Sequence, residues 1–164
     1  MFYEEVFQSL NKHDVRYLVV GGVAVNLHGI PRMTYDLDLM IALVPDNVRK
    51  AWTSLSELGF VPRVPIKLDQ FIDPQKRQEF REKKNMVVLS FFRGESEFRV
   101  IDIFVDNPLN FDSCYERRES RNIASIKVDV INAQDLIALK SINPRKRDLE
   151  DIDALNLILP KPHG

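Results

Sequence analysis

Apolar residues recur at helical spacing in the first dozen positions, where Phe2, Val6, Phe7 and Leu10 predict a helix over Phe2–Lys12. Residues 16–20 form a β-rich run that ends in Gly21-Gly22, and residues 23–27 read as a short helix closed by Gly29 and Pro31. Residues 35–43 are the next strand, stopped by Pro45. A helix then starts at Asp46 or Asn47, runs through Leu58 and ends at Gly59. Pro62 and Pro65 leave residues 60–68 extended or irregular, and Pro74 suits the first position of a polar helix reaching about Lys84. Two β-rich runs, 86–92 and 97–105, flank Arg93-Gly94-Glu95-Ser96 and predict a hairpin. A helix around residues 111–118 and a strand over 124–131 follow. Two closing helices, from Ala133 to about Ile142 and from about Lys146 to Leu159, are broken at Asn143-Pro144. This order predicts an α+β (α/β-like) fold, one mixed β-sheet flanked by helices, in a single domain over 1–164 with C-terminal helices at about 133–159.

Composition narrows the setting. Of 164 residues, 45% are hydrophobic and 29% charged, the balance of a globular chain able to bury a core without a metal or disulfide staple. The lone cysteine, Cys114, permits no intrachain disulfide and points to a reducing, cytoplasmic setting. No apolar stretch is long enough to span a bilayer, and Glu4 and Glu5 stand where a signal peptide would carry basic residues. The formal charge of −1 is unlike that of a strongly basic nucleic-acid binder. Basic residues do cluster in 75–84 and at Arg117, Arg118 and Arg121; solvated helix faces are the plain reading, an RNA-facing surface the alternative.

The chemistry concentrates between residues 21 and 38. Asp36 and Asp38 are two apart on a strand, so both carboxylates share one face while Leu37, Leu39 and Ile41 point to the core. Like charges so placed call for a cation, and an oxygen-only donor set suits Mg²⁺ or Mn²⁺. Asp102 interrupts the apolar run Val100-Ile101-Asp102-Ile103-Phe104-Val105, so a third carboxylate joins the pair if the two strands are neighbours. The competing reading of Asp102 is a solvated strand end or a salt bridge with an arginine such as Arg99. Gly21-Gly22, between a strand and a helix, exposes bare backbone N–H groups to a phosphate; it is neither a P-loop nor a dinucleotide turn.

These residues, in the order Gly-Gly-x-Ala-x-x-x-His-Gly-x-x-Arg-x-Thr-x-Asp-Leu-Asp, resemble the nucleotidyltransferase superfamily with the DNA polymerase β-like fold. They look more specifically like its AbiEii/AbiGii-type toxin branch. The segment Asp135 to Lys140, then Arg145-x-Arg147-Asp148-x-x-Asp151, is similar to that branch's closing motifs. The resemblance implies Mg²⁺ at Asp36, Asp38 and Asp102, with Asp102 helping to activate an acceptor hydroxyl. It also implies a nucleoside triphosphate contacting Gly21, Gly22, Arg32, Thr34, Lys140, Arg147 and Asp148. In one departure, Gly22 stands where many relatives carry a serine. The acceptor could be RNA (perhaps a tRNA end), a protein hydroxyl or a small molecule, and an antitoxin could be a partner.

Bland readings stand beside these. Lys140 could be a snorkelling surface lysine, and 145–151 a solvated helix start. His28 suits a hydrogen-bonded structural role, Cys114 has no nucleophile signature, and the phenylalanines of 91–104 read as core. In function, the alternative to an enzyme is a catalytically inactive nucleotidyltransferase-fold partner or regulator. A metal-binding glycosyltransferase is disfavoured, since only 35 residues precede Asp36.

Overall fold

The computed structural model describes residues 2–94 and 98–161. In chain order the elements are α1 (Phe2–Lys12), β1 (Tyr17–Val20), α2 (Gly21–Leu27), β2 (Leu37–Ile41), α3 (Pro45–Glu57) and β3 (Val61–Pro62). They continue with α4 (Leu68–Ile72), α5 (Pro74–Lys84), β4 (Val88–Phe92), β5 (Ile101–Phe104) and α6 (Phe111–Glu116). The last are β6 (Glu119–Ile123), β7 (Ile126–Val130), α7 (Ala133–Lys140) and α8 (Lys146–Ile158). The strands make one mixed sheet in the order β3-β4-β5-β2-β1-β7-β6, so the fold is α+β.

The register places the chemistry. β2 is antiparallel to β1 and parallel to β5, with Val20 opposite Asp38 and Asp38 opposite Asp102. β4 runs antiparallel to β5 and brings Ser90 opposite Asp102. Ser90, Asp102, Asp38 and Val20 therefore form one row across four strands, on one face of the pleat. The residues between them, Leu89, Ile103, Leu39 and Val19, point to the other face and are fully buried.

That apolar face meets the helices. α1 buries Val6, Phe7 and Leu10, with the Phe7 ring stacked on Tyr17 at 5.8 Å, and α3 buries Val48, Ala51 and Leu55. Asn47, buried in the first turn of α3, ties two strands at once. Its amide donates to Arg16 O and Ala42 O, and its carbonyl accepts from Arg16 N.

Two elements escaped the sequence pattern. β6 (Glu-Ser-Arg-Asn-Ile) has no apolar alternation; it exists because it pairs in full with β7 across a turn at Ala124, which sits at φ 54°. α4 is a single turn among prolines, too short for a period to show. β4 and β5 pair antiparallel as the expected hairpin requires, with β5 shorter than 97–105; Glu95 and Ser96 of the expected turn, and Glu97, lie outside the described residues. α2 begins two residues earlier than predicted, at Gly21 itself, and β2 is shorter than 35–43, which leaves Asp36 just before the strand.

Candidate active site

Gly21 and Gly22 owe their identity to what crowds them. Gly21 has φ +68°, and a Cβ there would land on the Asp38 carboxylate. A Cβ on Gly22 would land on the Arg32 guanidinium and 2.7 Å from Thr34 Oγ1. Where relatives place a serine, this chain places an arginine arriving from another segment. The first turn of α2 carries no side-chain cap, so its backbone donors are left for something else.

A cavity of about 270 Å³ is lined by Gly21, Gly22, Arg32, Asp36, Asp38 and Asp102, with Thr34, Tyr35, Lys140, Arg145 and Arg147 around them. Asp38 is pushed up to about 7, first by burial and then by the charges of Asp102 and Asp36, with Lys140 and Arg32 pulling the other way. Burial also raises Asp102, against the hydrogen bond it accepts from Ser90 Oγ and another it shares with Asp38. The solvated-end and Arg99-pair readings of Asp102 give way to this arrangement. Charge stress of this kind is relieved by a divalent cation, and the donors are all oxygen, so the residues fit Mg²⁺ or Mn²⁺. The fit is one of donor chemistry alone, for among the described residues no group of three or more His, Cys, Asp or Glu side chains is placed so that it could hold a metal ion.

A buried ion network backs the cavity. Lys140 is only 8% exposed, which overturns the snorkelling reading; its Nζ lies 3.0 Å from Asp151 Oδ2 and 3.7 Å from Asp148 Oδ1. Asp151 also holds Arg32, Oδ1 to Nε at 3.0 Å. Its Oδ2 accepts no directed hydrogen bond, so its charge is met through the Lys140 ion pair. Arg32 is held below its usual basicity by burial, with Asp151 opposing. Burial works to raise Asp148, but the Arg145 backbone N–H at 2.9 Å and the Arg145 Nε at 3.1 Å together hold it low. The helix start at 145–151 is therefore an anchored element, since Asp148 and Asp151 are both buried.

The structure brings Asp36, Asp38, Asp102, Gly21, Gly22, Arg32, Thr34, Lys140 and Arg147 to one cavity. Asp148 lines the adjoining, larger cavity instead, and its oxygens pair with Arg145 and Lys140. Thr34 reaches Asp36 O at 3.4 Å, and the Arg147 guanidinium donates to Met33 O, which pins the segment before β2 to α8. Arg145 and Asp151 stand in the closing motif with no role legible from it, and Ser90 carries no signal in the sequence. Asp151 follows Asp148 by one helical turn and could have been found by that spacing, whereas Ser90 needed the register of β4. Elsewhere, His28 Nε2 bonds Ile131 O at 2.7 Å, a structural role, and Cys114 is buried. Of the phenylalanines read as core, Phe91 is buried, but Phe98 is 68% exposed and packs edge-on against exposed Tyr35.

Solved structures share this fold. The lincosamide antibiotic adenylyltransferase LnuA, lincomycin-bound, aligns with a TM-score of 0.62 at 15% identity, covering 96% of this chain and 95% of that one. ANT(2")-Ia in complex with adenylyl-2"-tobramycin aligns at 0.59 and 10% identity, covering 95% and 86%. An antigenic nucleotidyltransferase-like protein from Paracoccidioides brasiliensis aligns at 0.54 and 19% identity, covering 94% and 74%. At these identities the likeness concerns the fold. No curated protein sequence matches the chain. The family match leaves the AbiEii/AbiGii-type branch that the motifs resemble unconfirmed. Residues 2–159 match the family described as nucleotidyltransferase of unknown function (DUF6036), and the chain belongs to that nucleotidyltransferase family.

Proposed function

We propose that this protein transfers a nucleoside monophosphate from a nucleoside triphosphate to a hydroxyl acceptor, with Mg²⁺ (or Mn²⁺) as cofactor. The observation that carries the reading is the meeting of Asp36, Asp38 and Asp102 with Gly21, Gly22, Arg32 and Lys140 around one cavity. In the reaction the acceptor oxygen bonds to the α-phosphorus, and the bond from that phosphorus to pyrophosphate breaks. Asp102, opposite Asp38 on the neighbouring strand, accepts the hydroxyl proton in this reading. The departing pyrophosphate lies over Gly21 and Gly22, whose missing side chains let its oxygens approach the backbone. Arg32 and Lys140, fixed by Asp151, offer their remaining N–H groups to the same oxygens. Asp36, Asp38 and Asp102 would hold the cation, which supplies positive charge for the developing phosphate charge.

The fold neighbours' small-molecule acceptors, an antibiotic in each of two cases, favour a small-molecule acceptor over an RNA, tRNA or protein hydroxyl. A toxin–antitoxin setting with an antitoxin partner rests on the motif resemblance alone. A cytoplasmic setting accords with the single cysteine; no helix among the described residues is long and apolar enough to cross a membrane. Calorimetric titration of the four triphosphates with and without Mg²⁺ tests the reading. Metal-dependent binding that disappears in Asp36→Ala/Asp38→Ala is expected. A folded wild type that binds none of them would leave the inactive, partner-binding alternative standing.

A further inference from the structure

Three large apolar side chains stand exposed beside the carboxylates: Met33 at 70%, Tyr35 at 54% and Phe98 at 68%. Chain connectivity puts the two rings there. Tyr35 immediately precedes Asp36, and Phe98 comes three residues before Ile101, whose register partner on β2 is Leu37. Because β2 and β5 run parallel, both rings sit at the same end of neighbouring strands, just upstream of Asp38 and Asp102. They meet edge-on, with centroids 6.0 Å apart at 65°, and at these exposures much of each ring is open to a ligand. The Tyr35 hydroxyl donates to Met33 Sδ at 3.1 Å, and Met33 O accepts from Arg147, so the ring is held in place with its polar tip engaged. What this ledge offers is ring surface. Tyr35 lines the cavity that holds Asp36 and Asp102, and neither ring lines the larger cavity beside it. Asp102 takes the acceptor's proton in the transfer reading, so a group lying on the ledge is on the acceptor's side of the reaction.

We propose, on the basis of that reading, that Tyr35 and Phe98 are the stacking ledge for the acceptor. The acceptor is then a small molecule that joins a flat ring and an anionic group to its hydroxyl, as a free nucleoside monophosphate does. Open aromatic rings take planar heterocycles by stacking, without reading their edges. Such rings also attract cations, but the charge bordering this ledge is already positive. The Arg99 guanidinium lies 5.7 Å from the Tyr3 ring centroid, and Tyr3 is within electrostatic reach of Asp36 and Asp38. Arg63, whose backbone N–H bonds Ser90 O, acts on Asp102 from the β4 side. Arg147 is tied to a carbonyl and not to a carboxylate. Three guanidinium groups thus border the acceptor's end, which favours an anion and disfavours a polycation. The reaction balances: the acceptor O–H bond breaks and its proton passes to Asp102, while the freed oxygen bonds the α-phosphorus. Pyrophosphate leaves with the electron pair of the broken P–O bond. With a nucleotide as acceptor, the product is two nucleosides joined by a phosphodiester.

The test is equilibrium binding in Mg²⁺ to protein first saturated with an α,β-methylene triphosphate, whose carbon bridge is not cleaved and which keeps other ligands out of the donor's place. The analogue is tried with each of the four bases. Four probes then separate the features: AMP carries ring and anion, adenosine the ring alone, ribose 5-phosphate the anion alone, and tobramycin several positive charges and no flat ring. AMP is expected to bind tightest, at least about tenfold ahead of ribose 5-phosphate and of tobramycin. Tyr35→Ala/Phe98→Ala truncates two exposed side chains, so the variant should fold. It is expected to weaken AMP and adenosine by about tenfold and to leave ribose 5-phosphate and the analogue unchanged. Phe98→Trp keeps a stacking surface and is expected to hold AMP as the wild type does. Ribose 5-phosphate that matches AMP, or AMP binding that ignores the double variant, would overturn the ledge. AMP that does not bind, or tobramycin or a single-stranded oligonucleotide that binds more than about tenfold better than AMP, would overturn the acceptor class. If none of the four analogues binds, it is the transfer reading that fails, and this proposal with it.

Discussion

The two faces of the central strands differ by a single step along the chain and by everything in their chemistry. On one face Leu39, Ile103, Leu89 and Val19 are sealed against α1 and α3. On the other, displaced by one residue, Asp38, Asp102 and Ser90 stand in a row, and the two carboxylates line a cavity. The first face is where burial stabilises the fold; the second is where burial works against it, since each carboxylate is easier to protonate than it would be in water. A fold that keeps such a row keeps it at a cost in stability, the ordinary sign of a site maintained for binding or chemistry.

Substitutions on the two faces should therefore separate activity from stability. The largest effect expected is on transfer: Asp38→Asn should lower it by about a thousandfold or more in any assay of pyrophosphate release, while the protein stays folded. Leu39→Ala, its neighbour on the other face, should cost about 2–5 kcal/mol in urea unfolding, by loss of buried contacts and a residual cavity. If Asp38→Asn instead unfolded the chain, the division between the faces would fail.

Two variants sharpen the picture behind the polar face. Gly22→Ser should weaken triphosphate binding by roughly tenfold, because the new side chain meets Arg32 and Thr34 and displaces the guanidinium. A serine that restored or improved binding would mean that Arg32 plays no part there. Asp151→Asn should raise KM for the triphosphate by about tenfold while changing kcat less, since it loosens Arg32 and Lys140 without touching the carboxylates. Equal losses in both constants would speak against a positioning role.

The smallest effect is a pH dependence. Asp38 has a folded pKa of about 7, above the value near 4 of an exposed carboxyl, so the folded state binds the extra proton between those limits. Stability linked to Asp38 is therefore fully present below about pH 4 and is lost as pH rises toward 7. In thermal melts without divalent cation, Asp38→Asn should flatten this decline and melt a few degrees higher than the wild type at pH 7.5. Mg²⁺ should raise the wild-type melting temperature at that pH and leave the variant nearly unmoved.

Sequence patterning alone determined the main elements and the position of the carboxylates. The alternation of 35–43 marks Asp36 and Asp38 as a pair two residues apart, although Asp36 falls just before β2, and the apolar neighbours of Asp102 mark it as a charge inside a strand. Helical spacing and terminal proline and glycine set α1, α3 and α5, because those signals act within a few residues. Tertiary structure decided the rest. That Asp102 lies opposite Asp38 depends on parallel pairing of strands some sixty residues apart, which no local period encodes. The fate of Lys140 depended on Asp151 being within 3.0 Å, and that of Gly22 on an arginine folding back over it. β6 formed from a polar segment because its partner strand was beside it. Local chemistry fixes which residues can form an element, while the identity of their neighbours, and with it the site, is set by contacts that only the folded chain makes.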